Sequence, residues 1–117
     1  MRHDIHVWHN DTRAAMRLRT RGGECVLFAM TKALGIDTDV AHAEFFRVST
    51  KTISRLRADV AAAAAGNSPT VQIGEKFMAN AVKALSHHAA TLRRHGFTPS
   101  LDELFEVVPV PAMAEAA

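Results

Sequence analysis

The 117-residue chain has no Tyr, one Trp, one Cys and four Pro, and aromatic residues make up only 6% of it. A single Cys25 closes no internal disulfide, so no cross-linked secreted scaffold is expected, and a thiol in an apolar run packs as a small hydrophobe in a reducing, cytoplasmic setting. No stretch approaches the roughly 18 apolar residues of a membrane span, and the opening M-R-H-D-I-H has no secretory hydrophobic core. Phosphate-cradling G-x-x-x-x-G-K, dinucleotide G-x-G-x-x-G, G-x-S-x-G and H-E-x-x-H patterns are all missing. His3, His6 and His9 recur without a Cys or acidic partner at zinc-motif spacing, while His87, His88 and His95 are irregularly placed. We therefore expect no catalytic residues, no metal, no cofactor, no small-molecule substrate and no enzyme.

What is present is alanine, aliphatic residues and a modest excess of positive charge. The formal net charge is +2, too small to demand a polyanionic partner by itself. The distribution is uneven: residues 1–59 hold ten Lys or Arg against seven Asp or Glu, and residues 60–117 hold four against five. Chain length predicts one domain, and alanine richness with few aromatic residues predicts an all-α protein; apolar periodicity adds a long C-terminal amphipathic helix and a short capping helix.

The basic half contains T-D-V-A-H-A-E-F-F-R-V-S-T-K-T-I-S-R-L-R-A-D, residues 38–59. Asp37 or Thr38 caps a first helix, with Val40 and Phe46 packing beside a small crossing residue, Ala43. Ser49 caps a second helix on which Ile53, Leu56 and Val60 fall in one sector at 100° per residue. Lys51, Ser54, Arg55 and Ala58 then lie on the opposite side, a basic and hydroxylic face of the kind that enters a major groove.

Residues 24–59 resemble the phage-repressor and Cro-like helix-turn-helix family. The match rests on Ala43 at the crossing, Val48 as the plug of the turn, Ile53 and Leu56 as buried positions, and S-T-K-T-I-S-R-L-R as the recognition helix. The resemblance implies a sequence-specific, double-stranded DNA-binding transcriptional regulator of repressor type, possible in a phage, acting by operator occupancy as a homodimer. It implies that Thr50, Lys51 and Arg55 touch bases and that Ser49 touches phosphate; Ser54 and Arg47 join them as candidate contacts. Two positions depart from the pattern. Arg47 replaces a preferred Gly, at a cost of order 1 kcal/mol if its φ is positive, which predicts a more open turn. His42 replaces an aliphatic residue.

Outside the motif, residues 1–23 read as a basic N-terminal arm or helix, capped by Asn10 or Asp11. Its Arg17, Arg19 and Arg21 either neutralise DNA phosphates or form a solvated face. Gly22 and Gly23 make a pivot. Residues 24–66 form the DNA-binding region, opened by an apolar helix from Glu24 to Gly35 that supplies Leu27 and Met30 to the core. Residues 67–108 hold a long helix from Gly74 to His95 and a short one whose S-L-D-E start is a capping box. The long helix's apolar stripe predicts a dimer interface through Phe77, Met78, Val82, Leu85 and Leu92, or else packing on its own core. Residues 109–117, with two prolines, are expected to be a disordered tail. The competing class is a protein-interaction module, antitoxin-like or host-factor-binding, in which the motif is only structural.

Overall fold

The computed structural model describes residues 12–111. In chain order it contains β1 (Thr12–Leu18), β2 (Thr20–Arg21), β3 (Glu24–Cys25), α1 (Val26–Ala33), α2 (Asp39–Phe46), α3 (Thr50–Ala64), α4 (Glu75–Ser86), α5 (Ala89–Arg94), α6 (Leu101–Leu104) and β4 (Phe105–Pro111). The expectation of an all-α protein is therefore overturned: the architecture is mixed, a helical body with two small antiparallel sheets.

One sheet joins the first and last elements. β1 pairs antiparallel with β4, from Thr12 opposite Pro111 to Leu18 opposite Phe105. Hence the segment expected as an N-terminal helix is a strand, and residues 109–111 of the expected tail are its partner. The remainder of that tail, like His3, His6 and His9, lies outside the described residues. The second sheet is a hairpin, β2 against β3, turned by Gly22 and Gly23 at φ 62° and 82°. Two consecutive positive φ angles match the right-handed twist of a two-residue hairpin and are open to glycine, so the expected pivot is a tight turn.

The core collects Leu18, Leu27, Met30, Phe46, Ile53, Leu85, Leu92 and Leu104, each 1% exposed or less. Leu18 and Leu104 belong to the sheet junction, where the Arg19 amide donates to the Leu104 carbonyl at 2.8 Å. The expected Gly74 to His95 helix is interrupted at His87 and His88, and Leu92 on the second piece, α5, is fully buried. Leu85 and Leu92 are consequently core residues of the single chain and offer no dimer surface; Phe77, Met78 and Val82 are half-buried. Phe77 packs between the rings of Phe46 and Phe105, at centroid distances of 5.7 and 6.2 Å. The stripe is mainly a cover for the body's own interior.

A buried ion pair links the terminal sheet to the helices. Arg17, on β1, donates from Nε and Nη2 to the two carboxylate oxygens of Asp59, on α3, at 3.2 and 3.0 Å, and from Nη1 to the Asn67 carbonyl at 3.0 Å. Asp59 also accepts from the Thr70 amide at 2.7 Å and the Thr70 hydroxyl at 3.1 Å. Both charged residues are almost inaccessible, at 8% and 1%. Burial alone would raise the Asp59 carboxyl, but the Arg17 guanidinium and the Thr70 donors more than reverse it and hold it below its ordinary value.

Removing one member of such a pair strands the other charge in the interior. Asp59→Ala is predicted to lose about 3–5 kcal/mol in urea unfolding, and an Arg17→Met, Asp59→Leu double replacement to recover most of that. Because Asp59 titrates lower in the folded chain than in the unfolded one, its contribution is complete above about pH 4 and disappears as pH falls through the depressed folded value. Stability from urea unfolding, followed from pH 6 downward, should fall more steeply below pH about 4 for the natural chain than for Asp59→Asn. Parallel curves would remove the pair from the account of stability.

Candidate nucleic-acid interface

Residues 38–59 form the expected two helices and turn. Thr38 caps α2 by accepting from the Ala41 amide at 3.0 Å, and Ser49 caps α3 by accepting from the Thr52 amide at 3.2 Å. Both caps follow from short hydroxylic side chains in extended backbone at the residue before each helix. Ala43 is 7% exposed at the crossing, and Ile53 and Leu56 are buried behind α3. Val48 is half-buried in the turn, and its amide donates to the Ala43 carbonyl at 2.9 Å. Val40, expected to pack, is 60% exposed because it lies in the first turn of α2, on the side away from the core.

Arg47 takes φ 59° and ψ 49°, the left-handed conformation that the motif normally gives to glycine. The expected opening of the turn does not occur. The bond from Val48 to Ala43 closes the helix end in the usual way, and the backbone accepts the side-chain penalty of order 1 kcal/mol.

His42 is 2% exposed. Its Nδ1 lies 2.8 Å from the Thr38 carbonyl, to which it donates, and its Nε2 lies 2.7 Å from the Thr31 hydroxyl. An imidazole thus fills an aliphatic site without an unsatisfied nitrogen, while its ring packs edge-on against Phe28 at 5.2 Å.

The outward side of α3 carries Thr50, Lys51, Ser54, Arg55 and Ala58, all exposed, with Ser49 at its head. No carboxylate occurs from Thr50 to Ala58, and the one that follows, Asp59, is turned inward to Arg17. Among the described residues, neither Lys51 nor Arg55 makes a salt bridge. A 15-residue helix also exposes its first amides and the positive end of its dipole beside Thr50 and Lys51. The result is a row of donors and two unbalanced cations. Arg55 further borders a cleft of about 380 Å³ between α3 and residues 70–74, shared with Thr52 and Gln72.

The remaining arginines divide differently from the sequence-based expectation. Arg17 is enclosed with Asp59 and is unavailable to phosphate. Arg19 donates from Nε to the Asp102 carbonyl at 2.8 Å and reaches Glu106 at 3.5 Å. Ser100 caps α6 as expected, accepting from the Glu103 amide at 3.3 Å, but Arg21 grips both Glu103 carboxylate oxygens at 2.9 and 3.3 Å, so the return half of the anticipated capping box is not made. These three fasten β1 and β2 to the body. Arg57, not singled out in the sequence, pairs with Asp39 at 2.9 Å and stands 4.4 Å over the Phe28 ring, clamping α2, α3 and α1 together. The i to i+18 spacing of Asp39 and Arg57 offers no local sign of this pairing.

Among the described residues no helix is long and apolar enough to cross a membrane, and no three His, Cys, Asp or Glu side chains gather to hold a metal ion. Comparison with protein-family models, curated proteins and solved structures finds no match for this chain.

Proposed function

We propose that the protein is a sequence-specific, double-stranded DNA-binding regulator of repressor type, with α3 as the recognition helix. The observation that carries this reading is the open row of Lys51, Ser54 and Arg55 on a helix whose opposite side is locked by Ile53, Leu56 and Asp59. Lys51 and Arg55 are the candidates for guanine edges, where a bidentate donor faces two acceptors. Thr50 and Ser54 add hydroxyl contacts, and the Ser49 head of the helix meets phosphate. Arg17, Arg19 and Arg21 leave the contact set because each is engaged within the fold. Two copies on a palindromic site would place two such helices in successive major grooves about 34 Å apart.

Selection of duplexes from a random pool at moderate salt is expected to enrich one site, palindromic if two copies bind together. On that site Arg55→Ala should lose about 1–3 kcal/mol and relax preference at one base pair. The fold should be unaffected, since exposed substitutions of this kind stay within about 0.5 kcal/mol. Affinity should fall linearly in log–log form with salt, with a slope of about −0.9 per phosphate neutralised. Failure to enrich any sequence, together with no retention on DNA at low salt, would overturn the proposal in favour of a protein-binding module.

A further inference from the structure

A second surface adjoins the turn that joins α2 to α3. There the C-terminal parts of α2 and α4 border a cleft of about 310 Å³, lined by residues that include Phe45, Arg47, Asn80, Lys83, His87 and His88. This is at the small end of the size range of small-molecule sites, about 300–1,000 Å³. No acidic residue borders it. Among the described residues neither Arg47 nor Lys83 makes a salt bridge, and both are exposed. One wall is aromatic: Phe45 is half-buried, held edge-on to Phe46 at 5.0 Å, and the His88 ring lies 5.8 Å from it at a tilt of 37°.

The negative end of a helix dipole favours a cation, so Lys83 near the end of α4 would by itself require no ligand. Arg47 is different. It holds a left-handed conformation that costs of order 1 kcal/mol, and its guanidinium obtains no ion pair within the described fold in return. Arg47, which has no such compensation, thus borders the same concavity as Lys83, Asn80 and two imidazoles, with Phe45 as its apolar wall.

From this we infer that the cleft is a binding site for a small phosphorylated ligand carrying a planar ring, of about mononucleotide size. Arg47 and Lys83 would hold the phosphate by charge-assisted hydrogen bonds, Asn80 and the imidazoles would supply further donors, and the ring would lie against Phe45. The inference does not depend on DNA binding.

Adenosine 5′-monophosphate added to the full-length, isotope-labelled chain provides the test. Saturable amide shifts are expected at residues 45–47 and 80–88, with an affinity at least about tenfold above those of adenosine and of inorganic phosphate, since each lacks one of the two contacts. Lys83→Gln and Phe45→Leu should each weaken binding about five- to tenfold, whereas Lys76→Gln, an exposed position on α4 outside the cleft, should not. Thermal unfolding of each variant checks that the body is intact. Absence of saturable shifts in the cleft up to about 10 mM, the very weak limit of specific binding, would overturn the inference. So would unaltered binding by a folded Lys83→Gln chain. If Lys83→Gln instead weakens duplex DNA and the nucleotide does not bind, the cations are a backbone-phosphate contact and the small-ligand site is refuted.

Discussion

The buried pair between Arg17 and Asp59 is the constraint on which the rest of the molecule depends. It ties three pieces that are distant in the chain: the first described strand, the back of α3 and the loop at Asn67 and Thr70. Two charges enclosed in an apolar interior are tolerated when they are paired and hydrogen-bonded. Here Asp59 accepts four hydrogen bonds and the guanidinium donates three, one of them to a backbone carbonyl. Sliding or rotating α3 would unmatch several of these at once. The rotation of the helix about its axis is therefore fixed from behind, by polar contacts as well as by Ile53 and Leu56.

Fixing that rotation determines which charges face outward. Asp59 is the one acidic residue on α3, and inward pairing removes it from the surface, so the outward side presents cations and hydroxyls without a neutralising partner. Arg57 is likewise drawn off toward Asp39 and Phe28, which leaves Lys51 and Arg55 as the available cations of the helix. Arg17, Arg19 and Arg21 hold the sheet to the body. Much of the basic excess of the first half of the chain is thus structural, and a small remainder, Lys51 and Arg55 on α3, stands exposed and unpaired among the described residues.

The local features of the motif were legible because their causes are local. Thr38 and Ser49 as caps, Ala43 at the crossing, Gly35 ending α1 and the inward sector of Ile53 and Leu56 all follow from side-chain type and a 3.6-residue period. The terminal sheet was not read from the sequence, although signals existed. M-R-L-R-T-R alternates with a period of two, and F-E-V-V-P-V-P combines β-branched residues with prolines that exclude a helix. High alanine content and the capping residues before Thr12 favoured a helix. The strand instead forms because a partner 87 residues away along the chain accepts it, as at Leu18 opposite Phe105. The burial of Asp59 and Arg17 was likewise invisible, since a carboxylate in R-A-D-V-A reads as solvated until its distant partner is known. The break at His87 and His88 has no glycine or proline to announce it, and a continuous stripe from Ile73 to Leu92 reads equally well as one helix or as two folded on one core.

The central claim is that α3 meets DNA through its outward row while the neighbouring surfaces remain free. Lysine acetylation followed by mass spectrometry tests it directly, because the four lysines sit on different surfaces: Lys32 on α1, Lys51 on α3, and Lys76 and Lys83 on α4. With saturating selected duplex, the account predicts that Lys51 alone becomes strongly protected. Undiminished reactivity of Lys51 on the bound protein, or protection confined to Lys32, Lys76 or Lys83, would contradict it.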